Sequence, residues 1–209
     1  VYVVGDLTGI PLLKMAAIGG SSIIRQFSYD KEFLNAPAGD CDYSVVIIGG
    51  GPAGVAAAME CSKRKISYIL LEGSKLFNTI ENFPKGKLIL LKPDDVVVDS
   101  DLKMNDGVKE TLLDDLKSST AEHPLNIKNC FRVEQISRKK NSLLYVGGKG
   151  ETFSCRRVVL AIGKSGDARR LQVVGEDLQK VSNHLYDAGD FQNKNILVVG
   201  GGDTAVENS

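Results

Sequence analysis

Apolar residues in this chain come in short β-branched runs separated by stretches of helical period, the alternation expected of an α/β fold. The clearest run is Val45–Ile48, followed by an alanine-rich helical stretch to about Lys65 and a second strand at Ser67–Leu71. Arg157–Ile162 has the continuous apolar character of a buried parallel strand, and Asn195–Val199 repeats it near the end. At the start, Val1–Val4 reads as a short strand, and Ile10 to Ile24 as a helix with Pro11 in the tolerated first turn and a weak point at Gly19-Gly20. Asp106–Ser119 places Val108, Leu112, Leu113 and Leu116 on one helical face. Short runs at Leu88–Leu91, Leu125–Ile127, Phe131–Ile136, Leu143–Val146 and Thr152–Cys155 predict further strands. Turns at Arg138–Asn141 and Gly147-Gly148 make part of this a small antiparallel insertion. Ser28–Asp42, with Pro37 and Gly39, reads as a linker, Gly73–Asp101 as irregular chain with a turn at Glu81–Pro84, and Lys164–Lys194 as a polar crossover.

The turn after Val45–Ile48 changes the picture from fold to ligand. Gly49, Gly51 and Gly54 stand in G-x-G-x-x-G spacing between strand and helix, and Glu72 closes the second strand at about the distance a dinucleotide-binding βαβ unit needs. Gly49 permits the tight turn, Gly51 lets backbone approach a pyrophosphate, and Gly54 lets the helix pack on the sheet. The helix start, with Pro52 and Ala53, offers free N–H groups and a positive dipole end to an anion. Glu72 supplies a carboxylate for ribose hydroxyls. A second strand–glycine turn follows at Gly200, Gly202 and Ala205, in G-x-G-x-x-A spacing and enclosing Asp203 and Thr204. One nucleotide-binding unit followed by the opening of another predicts a Rossmann-like three-layer domain joined to the first strand of a second. Because the second unit breaks off within its first helix, the chain is read as part of something longer.

Composition narrows the partners. The 26 Lys+Arg balance 26 Asp+Glu, so no net field draws the chain to nucleic acid or an anionic membrane, and no apolar run is long enough for a membrane span. Neither a signal-peptide pattern nor an initiator Met is present. Cys41, Cys61, Cys130 and Cys155 form no C-x-x-C, which leaves no local dithiol and no zinc spacing; scattered thiols suit a reducing, cytoplasmic compartment. Cys61 and Cys155 are read as small buried hydrophobes. His123 and His184, in loop-like contexts, are read as surface or cap residues, and no metal site is expected.

Together these residues resemble the two-dinucleotide flavoprotein oxidoreductases, above all the thioredoxin-reductase-like branch. The resemblance implies FAD at the first turn and NAD(P)H at the second. VVIIGGGPAGVAAAMEC with Glu72 is similar to the FAD turn, TIENFPKGK to a flavin-side segment in which Asn82 is the contact, and VVLAIG at Val158–Gly163 to the strand closing the FAD domain, with Ile162 in place of the usual Thr. LQVVGEDL at Leu171–Leu178 is similar to the crossover, with Val174 in place of Pro. VYVVGDLTGIPLLKMAAIGG resembles the third FAD motif, in which an Asp holds the ribitol and a helix N-terminus faces the flavin; Gly5, Asp6, Pro11 and Leu12 are the matching positions. Val133, Ala161 and Gly163 complete the cofactor-binding set that the resemblance implies.

That third motif stands first in this chain, whereas the family carries it last. Either the chain is circularly permuted, with residues 1–27 docking on the FAD domain, or the segment is the tail of a preceding module; permutation is the expectation. The domain reading is then 1–27 displaced FAD segment, 28–42 linker, 43–180 FAD-binding domain, and 181–209 crossover with the start of an NAD(P) domain. Both thiol routes of the family are missing: Ser182–Asp187 has no cysteine where a dithiol would stand, and Ala53 occupies the position of a cysteine after the first turn's Pro. The resemblance therefore implies an enzyme that passes electrons from NAD(P)H through FAD to an acceptor protein or fused redox module, as ferredoxin–NADP reductases do, with no catalytic side chain assigned. The alternatives are a non-catalytic flavin- or nucleotide-binding module, a disulfide reductase whose thiols lie elsewhere, and a first turn that binds NAD. A homodimer is an option that the family allows.

Overall fold

The computed structural model describes residues 1–35, 39–139, 142–164 and 170–207. Its centre is a parallel sheet built around β2 (Tyr43–Ile48). On one side β2 pairs with β3 (Tyr68–Leu71), which in turn pairs with the short β6 (Ile127–Lys128). On the other side it pairs with β9 (Glu151–Leu160), the longest strand. The far edge of β9 is shared. Its first half carries the antiparallel strands β8 (Leu144–Gly148) and β7 (Gln135–Arg138), while its last two residues pair in parallel with β1 (Tyr2–Val3). The parallel part therefore runs β6-β3-β2-β9-β1, and the N-terminal residues supply its fifth strand.

Two helices lie against one another over this sheet. Helix α3 (Pro52–Lys63) follows the first glycine turn, and residues 53–61 of it are buried. Burial on so many sides requires small residues, and Ala53, Ala56, Ala57 and Ala58 supply them. Helix α1 (Leu13–Phe27) covers α3 with the face Ala16, Ala17, Gly20, Ser21, Ile24 and Phe27. The expected weak point at Gly19-Gly20 is no helix end. A Cβ on Gly20 would lie 1.9 Å from the Ala53 carbonyl oxygen, so the glycine is where the two helices come closest. Charge closes the far end of the same contact: the buried Glu60 of α3 accepts from Arg64 Nε at 2.5 Å and faces Arg25 Nε of α1 at 3.6 Å.

The segment 28–42 is more than a linker. Helix α2 (Lys31–Leu34) forms there, capped by Asp30, whose carboxylate accepts from Glu32 N and Phe33 N. Phe33 is buried against Phe27, and Asp30 also pairs with Arg157 of β9 at 2.9 Å. The apolar Phe33 is what turns a connection into a packed element; residues 36–38, including Pro37, lie outside the described set.

Several expected strands move. The runs at 152–155 and 157–162 are one continuous strand, because Arg156 and Arg157 do not interrupt the ladder from Cys155 to Leu160. Gly147-Gly148 ends β8 instead of forming the turn, which falls at Lys149-Gly150, both at positive φ. The run at 131–136 is strand only from Gln135. Of 88–91, only β4 (Leu88–Ile89) pairs, antiparallel to β5 (Gly107–Val108). Val108 thus belongs to a strand and is exposed, and helix α5 (Lys109–Glu122) begins one residue later with Leu112, Leu113 and Leu116 buried. The expected turn at 81–84 is preceded by one helical turn, α4 (Asn78–Glu81).

The last expected strand, 195–199, enters no ladder among the described residues; Ile196, Leu197, Val198 and Val199 are exposed. A strand needs a neighbour for its backbone groups, and the described residues place none beside it. Helix α6 (Asp203–Glu207) follows the second glycine turn all the same. Among the described residues, no helix is long and apolar enough to cross a membrane and no His, Cys, Asp or Glu cluster has a metal-ligating arrangement.

Candidate cofactor site

All five parallel strands end at the same edge of the sheet, and most of the residues singled out ahead of the second glycine turn follow those ends. Gly49 follows β2, Glu72 follows β3, Ala161 and Gly163 follow β9, and Gly5 and Asp6 come just after β1. Val133 lies beyond β6 and is partly buried against Phe131 and its neighbours. In open parallel sheets this is the edge where ligands bind.

The first glycine turn is fixed by close backbone approaches. Gly49 has φ +106, and a Cβ there would lie 2.4 Å from the Ala161 carbonyl oxygen. A Cβ on Gly54 would lie 1.8 Å from the carbonyl oxygen of Gly49. By contrast, nothing stands within 4 Å of a Cβ built on Gly51, so the turn is open where a phosphate would sit. Gly51 caps α3 without any side-chain hydrogen bond, and Pro52 occupies the first turn. The leading N–H groups of α3 therefore face outward with the helix dipole behind them.

Glu72 is held at the rim of this turn. One carboxylate oxygen accepts from Gly50 N at 2.5 Å and the other from Ser74 N at 2.8 Å. Two backbone donors at fixed positions orient the carboxylate beside the turn, as a ribose contact requires. Phe77 N donates to the Gly50 carbonyl at 2.9 Å, tying the turn to the segment that leads through α4 to the exposed Asn82.

The N-terminal motif meets the same turn. Val4 N donates to the Leu160 carbonyl at 2.9 Å, which extends the ladder of β9 up to the motif. Gly5, at φ +74, is buried, and a Cβ on it would come within 3.2 Å of the Ala53 Cβ. Asp6 is thus placed beside the start of α3, and no hydrogen bond or ion pair engages its carboxylate among the described residues. One 3-10 turn, Gly5–Thr8, and Gly9 in the left-handed region lead on to α1. The N-cap of α1, Leu12, makes no side-chain cap bond, and Pro11 precedes it, so this helix end is also open to an acceptor.

The residues fit a dinucleotide such as FAD: an uncapped helix start with a gap at Gly51, the Glu72 acid oriented beside the turn, the unengaged acid Asp6 near it, and a second open helix end. The second turn is different. Gly200 has φ +145 and a Cβ on it would touch the Ala205 Cβ at 3.4 Å, while Gly202 is open and Ala205 N donates to its carbonyl at 2.9 Å. The backbone of Asp203 and Thr204 opens α6. Among the described residues no strand pairs with the segment before this turn, so the sheet edge that backs the first turn has no counterpart there.

Cys61 and Cys155 are fully buried, and burial pushes both thiols up, Cys155 to about 12. Cys41 is raised to about 11 by burial and by its hydrogen bond with Asp40. Cys130, exposed at φ 55, donates from Sγ to the Ser74 carbonyl at 3.3 Å. His123 caps α5 with Nδ1 at 3.0 Å from the Ser119 carbonyl oxygen, and His184 is exposed. One cation beside the site was missed by sequence reasoning. Lys109, at the first position of α5, reaches back to the Asn82 turn.

Known proteins agree with this geometry. Residues 46–209 match the model of the family described as pyridine nucleotide-disulphide oxidoreductase. The chain is 31% identical over 176 residues to a thioredoxin reductase of Listeria monocytogenes, and 26% identical over 170 residues to a ferredoxin–NADP reductase of Leuconostoc mesenteroides; each alignment covers 79% of this chain and 48% of the relative. The chain thus spans about half the length of the curated relatives it matches. Among solved structures, a bacillithiol disulfide reductase of Staphylococcus aureus superposes with a TM-score of 0.67 at 23% identity, covering 79% of this chain and 52% of that one, a likeness of fold. With a glycine turn, an oriented ribose acid and a matched span of this extent, the chain belongs to the pyridine nucleotide-disulphide oxidoreductase family.

Proposed function

We propose that this chain forms the FAD-binding part of an oxidoreductase that draws electrons from NAD(P)H and hands them to an acceptor protein or a fused redox module. The observation that carries the reading is the convergence of Gly49–Gly54, Glu72 and Gly5–Asp6 on one edge of one parallel sheet. In this reading the α3 start with Pro52, Ala53 and Gly54 receives the pyrophosphate, Glu72 a ribose, Asp6 the ribitol, and Asn82 the flavin ring. Ala161, Gly163 and Val133 line the edge, and the α1 start at Pro11 and Leu12 faces the flavin. FAD supplies the hydride and electron chemistry when bound. The protein's part is orientation and a positive helix end near charge that develops on reduction. The turn at Gly200–Ala205 is assigned to NAD(P)H.

The permuted order belongs to the same proposal. It is supported by the pairing of β1 with β9 and by the close approach of Gly5 to Ala53. An acceptor of ferredoxin type is favoured over a disulfide because Ala53 stands where a thiol would be needed, Ser182–Asp187 has none, and Cys61 and Cys155 are buried and protonated. The test is anaerobic addition of NADPH, then NADH, to the purified full-length protein with its flavin, followed by ferredoxin or a disulfide substrate. Bleaching of the flavin and reoxidation by ferredoxin are expected. A yellow protein that stays oxidised would instead establish a binding module, and reoxidation by the disulfide alone would reverse the choice of acceptor.

A further inference from the structure

Lys109 breaks a local rule. It occupies the first position of α5, where the helix dipole disfavours a cation, and its side chain is only 13% exposed although lysine ammonium groups normally stay in water. The ammonium does not point along the helix. It donates to the Phe83 carbonyl at 2.7 Å and to the Glu81 carbonyl at 3.2 Å, the two residues that flank Asn82. The rest of the helix start holds the same loop: Lys109 N donates to the Lys87 carbonyl at 2.8 Å, and the Glu110 carboxylate accepts from Gly86 N at 3.2 Å. Asn82 itself is exposed at the end of α4, with its N–H bonded to the Asn78 carbonyl at 3.0 Å. One ammonium group thus bonds the carbonyls on both sides of it.

Nothing in the folding of α5 requires this arrangement. Leu112, Leu113 and Leu116 already bury the helix, and a helix former without charge at the first position would avoid the dipole penalty. Burying the cation costs free energy that its two carbonyl bonds offset. A local violation of this kind beside a candidate site points to the site as its reason.

We propose that Lys109 is a positioning residue that clamps the Glu81–Phe83 backbone and so holds Asn82 in place for the flavin. The inference rests on the FAD reading of the preceding subsection. Lys109 acts through the backbone and through Asn82, and it places a fixed positive charge behind the segment that meets the ring.

The test compares full-length wild type with Lys109→Met, Lys109→Arg and Lys117→Met, the last removing an exposed cation of the same helix whose ammonium stands 3.9 Å from Glu81 Oε1. In K109M, amide exchange across residues 81–87 accelerates in the flavin-free protein, FAD binds about tenfold more weakly, as expected for losing a charged hydrogen bond, and the visible band and midpoint potential of bound FAD shift. K109R restores most of the binding and the band, while K117M leaves all four readouts as in wild type. Unchanged exchange and an unchanged band in K109M overturn the assignment, as does an equal shift in K117M. Should K109M not fold, Lys109→Gln takes its place: faster exchange across residues 81–87 with a shifted band supports the clamp, and exchange and band both as in wild type overturn it. Wild-type protein that takes up no FAD fails the proposed function itself, whereas the exchange comparison still reads the clamp alone.

Discussion

Two glycine turns of the same spacing stand in this chain, Gly54 of the first replaced by Ala205 in the second, and they differ in what surrounds them. At Gly49–Gly54 the turn leaves a strand paired on both sides, opens a buried twelve-residue helix and faces an acid oriented by two N–H groups. At Gly200–Ala205 it follows an exposed segment that pairs with no strand among the described residues, and residues 203–207 open a helix behind it. Spacing alone sets up the turn. The strand before it, and the helix packed behind it, convert the turn into a site.

The comparison breaks first at the packing behind the first turn. Phe27→Ala empties a buried position where α1 meets Tyr2, with ring centroids 4.8 Å apart, and Phe33 at 5.5 Å. It is expected to cost about 3–5 kcal/mol by urea denaturation of the full chain, and to weaken FAD binding as the N-terminal motif loosens. Gly54→Ala drives a methyl group into the Gly49 carbonyl and is expected to cost about 3 kcal/mol and to abolish FAD uptake. The second turn already carries Ala205 at the matching position, and Gly200→Ala, the counterpart of Gly49, adds a Cβ that meets only the Ala205 Cβ at 3.4 Å, so that its expected cost is the backbone strain at φ +145, about 1–2 kcal/mol. Equal losses in the two alanine variants would erase the distinction between the turns.

The smallest expected effect is a pH dependence in the segment joining α1 to β2. A hydrogen bond from Arg157, together with the Phe33 and Glu32 N–H groups, holds Asp30 below its ordinary carboxyl value of 3.8. A group lowered in the folded state stabilises above its unfolded value and loses that contribution as pH falls through the folded one. Wild type should therefore exceed Asp30→Asn in urea midpoint at neutral pH, with the gap closing below 3.8. A gap that widens on acidification would reverse the sign.

Much of the parallel sheet could be read along the chain because its strands are buried runs such as Val45–Ile48 and Arg157–Leu160, whose apolar continuity is local. The glycine turn was legible for the same reason: turn, strand and helix are adjacent in sequence. The partner of β1 was not, since Tyr2 pairs with Val159 and nothing in Val1–Val4 names its neighbour. Val108 sat on the apolar stripe of a helix it does not enter, because one face of a stripe cannot mark where the helix begins. Phe33 lay hidden among charges and a proline, where composition outweighs a single buried ring. Lys109 left a faint trace, a cation at a helix start, but the carbonyls it holds are 26 and 28 residues earlier. The run at 195–199 was read as a strand from its residues alone, and backbone pairing depends on what stands beside it.

The place of β9 between β2 and β1 has a consequence for how the domain is made. During synthesis β1, α1, β2 and α3 leave the ribosome early, and α1 can pack on α3 through Gly20 and Ala53 while the sheet is still open. The slot between β1 and β2 is filled only by β9, which pairs β1 and the second edge of β2. Closing it joins residues far apart in the chain, the kind of long-range contact that slows folding.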